Sequence, residues 1–368
     1  MNPQKSNDEI KVIGKIPVLA RYRTGLWGLD VALGDEDGIG LPLRGGYEIY
    51  GDPETGKSTV AYYLGAKVEP TGTVAVIDLE VAARMKYIKR AMAQAGFKGT
   101  IYYVAHRTED GKPRLHWHML KEGADKLLDD DVYCTILDSA ALVTPIMERT
   151  EDDEKSFMGQ RAKLIGRFNR RWIPWMGFTY ENKVVFIVNH MLQSFDAFGG
   201  KYSPGGQSIK YGIIAKLWIR RDETLPDGTF RAIIKVEKLR LGGRAIRRKA
   251  NVVIIPGIGV SPELTSVFDC FTEKLARRQQ SGMVEILNGK TWTKVAKLST
   301  LVQRAKNGEY DDFGQFASAL ESHRPVPEPD HESGEGQSGD PGDEPEIVAD
   351  GPKVVRGSPR KRARSKRL

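Results

Sequence analysis

The run GDPETGKS at residues 51–58 has the spacing Gly-x-x-x-x-Gly-Lys-Ser, which suits the cradling of a nucleotide's phosphates. Gly51 and Gly56 let the backbone of Asp52, Pro53, Glu54 and Thr55 curl until its N–H groups face a phosphate. The helix that follows presents its positive end to the same anion. Lys57 then reaches the β- and γ-phosphates, Ser58 offers a hydroxyl to Mg²⁺, and Thr59 completes the nucleotide-binding run. The run follows the strand-like YEIYG and opens a helix-like stretch, the context that the motif requires. An incidental Gly-rich turn is the alternative.

Two carboxylates belong with this loop. TILDS (135–139) is an apolar strand ending in Asp138, where an acid can hold the water shell of Mg²⁺ opposite Ser58. Many apolar strands end in Asp, so this assignment leans on the phosphate loop. VAVIDLE (74–80) leads to Glu80, which can orient or deprotonate an attacking water. Glu80 is preferred to Asp78 on the expectation that the two side chains face opposite ways. A carboxylate at a helix N-terminus is the plainer alternative.

Elements must hold these groups together. Short β-branched runs alternate with helix-like stretches from about 24 to 262: YEIYG, TVAVIDLE, VYCTILDS, KVVFIVN, AKLWIRR, RAIIKVEK and NVVIIP. Segments 81–95 and 155–176 have helical spacing with Lys/Arg faces. The alternation predicts an α/β fold, a mainly parallel twisted sheet with helices on both faces. The last strands follow one another without helices, which predicts an antiparallel part. Residues 1–23 read as an arm and 24–262 as the core. Residues 263–321 read as a small α+β domain, with a helix capped by Ser261 or Thr265 and a hairpin turning at Asn288-Gly289. Residues 322–368, rich in Pro, Gly and acid and then basic, read as a disordered tail.

Composition narrows the class. The 368-residue chain carries a net charge of +8, and residues 356–368 hold seven basic groups and no acid, so the remainder is close to neutral. A mild basic excess is compatible with nucleic acid but does not establish it. No run of eighteen apolar residues occurs, and the N-terminus lacks an apolar signal core. The expectation is a cytoplasmic protein without a membrane span. Cys134 and Cys270 lie in apolar runs and read as buried, reduced thiols.

SFDAFGGKYSPGGQS (194–208) combines Phe195, Phe198 and Tyr202 with Lys201 and the glycines Gly205 and Gly206. Aromatics stack on bases, a cation neutralises phosphate, and glycine N–H groups approach a backbone closely. The composition suits single-stranded DNA bound without sequence preference; a lid over a small substrate is the alternative.

Taken in order, these motifs resemble the RecA family of recombinases over about 24–320. TGLWGLDVALGDEDGIGLPLRGGYEIYG is similar to the family's lead-in, and PETGKST keeps its Pro-Glu. The resemblance implies that Glu80 activates water, Tyr87 stacks on adenine and Asp138 serves the metal. SFMGQRAKLIGRFNRR resembles the first DNA loop and its helix, which implies DNA contacts at Lys163 and Arg170. AFGGKYSPGGQSIKYGIIAKLWIRR resembles the second. FIVNH resembles the strand that senses the γ-phosphate, with His190 in place of the usual glutamine. IIKVEKLR resembles the strand whose basic pair, here Lys238 and Arg240, reaches a neighbour's ATP. Arg84 stands where the family often has an adenine-contacting aspartate, and GMVEILNGKTW resembles the hairpin of its small C-terminal domain.

The resemblance implies a DNA-dependent ATPase that uses ATP and Mg²⁺, polymerises as a filament on single-stranded DNA, and exchanges strands with double-stranded DNA. Loading or single-strand-binding proteins are implied partners. The arm is shorter than in bacterial relatives, so KVIGKIPVLA is expected to supply an intersubunit strand, as in shorter phage recombinases. Two alternatives stay open: a ring helicase or translocase on the same core, and a regulatory paralogue without strand exchange.

Overall fold

The computed structural model describes residues 20–34, 38–80, 84–108, 110–143, 158–173, 182–193, 201–202, 209, 212–240 and 248–323. The N-terminal arm, the acidic stretch before Met158, most of the 194–208 loop and the tail expected above lie outside these residues.

The β-branched runs become one nine-stranded sheet. Its strands are β1 (Gly45–Gly51), β2 (Thr73–Asp78), β3 (Thr100–Tyr103), β4 (Val132–Asp138), β5 (Val184–His190), β6 (Ile213–Thr224), β7 (Phe230–Leu239), β8 (Lys249–Ile255) and β9 (Gly259–Val260). Their spatial order is β9-β8-β7-β6-β1-β5-β4-β2-β3. The block from β6 to β3 is parallel, whereas β7, β8 and β9 pair antiparallel. Connections explain the split. Parallel neighbours need crossovers, and α2 (Lys57–Val68), α3 (Met85–Ala93), α4 (His116–Asp125) and α5 (Met158–Trp172) lie between the early strands. α1 (Trp27–Ala32) precedes the sheet. All seven expected strands are present; β3, β9 and α4 were not anticipated.

The period-two alternation sorts side chains into two cores. Val74 and Val76 join α2 and α3 on one face, while Ala75 and Ile77 meet α4 and α5 on the other. Each fully buried aliphatic side chain here contributes about 1.5–3 kcal/mol. α2 is buried on nearly every side, from Thr59 through Ala66. A third core closes over Val253 and Ile255 of β8. It is built from α6 (Pro262–Thr272), α7 (Leu298–Asn307), α8 (Gly314–Glu321) and the small antiparallel sheet of β10 (Ala276–Arg278), β11 (Met283–Asn288) and β12 (Thr291–Lys297).

Ser261 caps α6, its hydroxyl accepting the Leu264 N–H at 3.3 Å. Asn288 still pairs with Thr291, so the hairpin loop is Gly289-Lys290, one residue beyond the expected turn. Cys134 and Cys270 are buried and free. Every described residue falls in one compact unit ending at residue 328.

Candidate active site

Four adjacent parallel strands end at one rim of the sheet. Gly51 at the end of β1 is level with His190 of β5, and Asp78 at the end of β2 is level with Asp138 of β4. The phosphate loop leaves this rim and enters α2. Glu54 and Gly56 take positive φ, 58° and 88°. A Cβ on Gly51 would lie 2.1 Å from the Ile219 carbonyl oxygen, and one on Gly56 would lie 2.2 Å from Ile254 Cδ1. The loop is therefore wedged against β6 and β8, and both positions require glycine.

Inside the loop, the Thr55 hydroxyl and Lys57 Nζ both donate to the Asp52 carbonyl, at 2.9 and 2.7 Å. Lys57 is buried, and burial holds its ammonium below the ordinary lysine range while the charges of Glu80, Asp138 and Asp52 oppose that shift. α2 has Gly56 as its N-cap and no capping side chain. A half-desolvated ammonium beside an uncapped helix N-terminus is a ready receptor for phosphate.

Asp138 is 3% exposed. Its Oδ2 accepts the Tyr62 hydroxyl at 2.9 Å, while its buried Oδ1 makes no hydrogen bond among the described residues. Burial pushes the carboxyl up to about 6, opposed by the Ser58 and Tyr62 hydroxyls and reinforced by Glu80 and Asp78. The Asp138–Ser139 peptide is cis. An unsatisfied carboxylate oxygen beside a serine hydroxyl fits a hard, oxygen-seeking cation, so Asp138 and Ser58 suit Mg²⁺.

The reason given above for preferring Glu80 to Asp78 needs correction. Residues two apart on a strand share a face, so alternation does not separate them. The end of β2 at Asp78 does. Asp78 accepts the Tyr103 hydroxyl at 3.2 Å and the Glu80 N–H at 3.1 Å. Glu80, beyond the strand, places Oε1 2.5 Å from His190 Nε2. That hydrogen bond is the main influence holding the Glu80 carboxyl below its ordinary range, against the opposing effect of partial burial.

His190 is itself held from below. The fully buried Asn189 accepts the His190 N–H on Oδ1 at 3.1 Å and donates through Nδ2 to Glu48 Oε1 at 2.9 Å. Lys216 Nζ lies 3.9 Å from Glu48 Oε2 and 4.1 Å from the Tyr50 ring centroid. On α3, the Tyr87 hydroxyl lies 2.5 Å from Thr59 Oγ1, which brings the expected base-stacking residue to the phosphate-loop helix.

The expected DNA residues lie elsewhere. Lys163 and Arg170 are exposed on α5 with Arg167 on the same stripe, and Arg171 anchors that helix to Asp125 of α4. Lys201 and Tyr202 form a two-residue strand against Leu192–Gln193, so this stem begins two residues after His190. Phe198, Gly205 and Gly206 lie outside the described residues. Lys238 on β7 is level with Lys216 and Glu48, and Arg240 follows the strand end with its N–H on the Ile214 carbonyl at 2.8 Å. This places Lys238 about 10 Å down the sheet from the level of Gly51, away from the chain's own phosphate loop.

The sequence profile of the RecA N-terminal domain matches residues 14–261. This chain belongs to the RecA family. Protein RecA of Clavibacter michiganensis subsp. michiganensis (strain NCPPB 382) is 28% identical, over 70% of this chain and 67% of its own length. Protein RecA of Symbiobacterium thermophilum is 29% identical over 68% of each, and that of Salinispora tropica 28% over 72% and 73%.

Within this RecA-family core, the sequence pointed to no site role for Tyr62 or Glu48, and to Asn189 only through the resemblance of FIVNH. The available signal was a polar group inside an apolar run: Glu48 in YEIYG, Asn189 in FIVNH, Tyr62 in VAYYLG. Buried polar groups need partners, and here those partners are in the site. No helix among the described residues is long and apolar enough to cross a membrane.

Proposed function

We propose that this chain is an ATP-dependent DNA recombinase that polymerises on single-stranded DNA and promotes homologous pairing and strand exchange. The observation that carries the reading is the meeting, at one rim, of the phosphate loop, the unsatisfied Asp138 and the Glu80–His190 pair. The 192–202 stem leaves the same strand end, which ties the nucleotide to a DNA loop in a RecA-family chain.

Lys57 exchanges the Asp52 carbonyl for the phosphates of ATP, and the N–H groups of the loop and of α2 hold the same anion. Ser58 and Asp138 would hold Mg²⁺, which when bound would supply positive charge to the phosphates. Glu80, ionised at neutral pH, accepts a proton from the attacking water, and His190 fixes the direction of its carboxylate. Tyr87 covers the base. Lys238 and Arg240 act on the nucleotide of a neighbouring copy, because their own loop lies at the other end of the sheet. Hydrolysis removes the anion shared between copies and loosens the hold on DNA.

The test is electron microscopy with single-stranded DNA and a slowly hydrolysed ATP analogue, together with ATP turnover. Continuous helical filaments and DNA-stimulated turnover abolished by Lys57→Ala are expected. Closed rings would instead identify a translocase.

A further inference from the structure

Two adjacent tyrosines lie in the middle of α2, and their hydroxyls go to different places. Both Tyr62 and Tyr63 are fully buried. Tyr63 donates to the Thr24 carbonyl at 2.8 Å, a contact that ties α2 to the segment before β1. Tyr62 donates to Asp138 Oδ2 at 2.9 Å, across 76 residues of sequence. The other oxygen of that carboxylate, Oδ1, is buried with no hydrogen bond among the described residues, and the Ser58 hydroxyl lies near enough to steady the carboxylate's charge.

A carboxylate can rotate about Cβ–Cγ and offer either oxygen. Inside a protein it settles wherever donors pin it, because a buried charged oxygen left without a donor is costly. Here the pin is a ring packed on a rigid helix. The phenol carries a single O–H and has no other acceptor within the described contacts, so it secures Oδ2 and leaves Oδ1 without a hydrogen bond among the described residues. A second phenol repeats the arrangement one strand over, Tyr103 donating to Asp78 Oδ2 at 3.2 Å. It keeps the neighbouring carboxylate turned into its own contact.

We propose that Tyr62 is a positioning residue for the metal: its hydroxyl fixes the Asp138 carboxylate so that Oδ1 alone is presented to the Mg²⁺ that accompanies the nucleotide. This rests on the reading of Asp138 and Ser58 as the metal-holding pair. Groups that orient a metal-binding side chain change metal affinity when removed, without touching the metal. A tyrosine that merely filled the core would leave that affinity alone.

The experiment is a Mg²⁺ titration of the full chain loaded with a fluorescent ADP analogue, read as the metal concentration at half-saturation. Analogue affinity in EDTA and the circular-dichroism melt are measured beside it. Tyr62→Phe keeps the ring and removes only the hydroxyl. It should raise the half-saturating Mg²⁺ about tenfold with metal-free nucleotide affinity unchanged. Tyr63→Phe, the same chemical change one residue on, should leave the Mg²⁺ dependence where it was. In an Asp138→Asn background, Tyr62→Phe should add nothing.

Unchanged Mg²⁺ dependence in a folded Tyr62→Phe protein, or an equal effect of Tyr62→Phe with and without Asp138, overturns the role of Tyr62. If Asp138→Asn itself leaves Mg²⁺ dependence unchanged, the placement of the metal fails and the inference falls with it. Should Tyr62→Phe not fold, the wild-type chain carrying ¹³Cζ-tyrosine at position 62 or 63 decides the matter. Mg²⁺ added to the nucleotide-loaded protein should move the resonance of Tyr62 and not that of Tyr63. A stationary Tyr62 resonance, or equal movement at both, rejects it.

Discussion

Burial places an electrostatic penalty on the ionised Asp138 carboxylate. Its folded carboxyl is pushed up to about 6, chiefly by burial, from an ordinary value of 3.8. Between these two values the unfolded chain has released this proton and the folded chain has kept it. The folded state then binds more protons, so this group's contribution to stability falls as pH rises from about 4 to about 6. Asp138→Asn removes that loss. In EDTA, thermal melts should show the Asn variant gaining on the wild type by on the order of 2–3 kcal/mol across this window, with the gain then level. A constant difference between the two melts from pH 4 to pH 8 would show that Asp138 is not held in an unfavourable charged state. Lys57, Asp138 and Glu80 were candidates beforehand because their spacing along the chain and their places at strand ends are written in the sequence. The contacts of Tyr62 with Asp138 and of Asn189 with Glu48 were not legible, because these partners are 76 and 141 residues apart in sequence.

At the scale of elements, α5 offers the clearest functional surface. Its apolar side buries Ile165, Phe168 and Trp172 against the sheet, while Lys163, Arg167 and Arg170 form an exposed stripe. Arg171 fixes the helix to Asp125 and Arg161 Nε donates to the Val143 carbonyl at 3.1 Å, so the stripe is carried on a well-anchored rod. Lys163→Ala with Arg170→Ala should weaken single-strand binding and reduce the slope of log affinity against log salt by roughly one to two. An unaltered slope would take α5 off the DNA path. The helix was visible in advance from its basic, helical spacing. β3 was not: its four residues are too few for alternation to register, and its place at the sheet edge comes only from pairing with β2.

At the scale of the whole molecule, a basic pair is separated from the loop it is expected to serve. Lys238 near the end of β7 and Arg240 just beyond it follow a strand that runs antiparallel to β6, and so lie toward the end of the sheet opposite the phosphate loop. A head-to-tail assembly would bring them to the next copy's nucleotide. Two inactive proteins test this: Lys57→Ala, and Lys238→Ala with Arg240→Ala. Mixed in equal amounts on DNA, they should recover about a quarter of wild-type ATP turnover, since one neighbour pairing in four unites intact groups. No recovery on mixing would place both sets of residues in the same copy's site, or remove the basic pair from catalysis.

By itself the sequence determined the kind of fold, the place of the Gly-rich loop 51–58 between strand and helix, and the order of strands along the chain. Those depend on local periodicity and on spacings that the covalent chain preserves. Only the tertiary structure decided which side chains meet: His190 with Glu80, Tyr62 with Asp138, Asn189 with Glu48. These contacts arise when strands distant in sequence are laid side by side. Register and burial, rather than any spacing along the chain, set which atoms face one another.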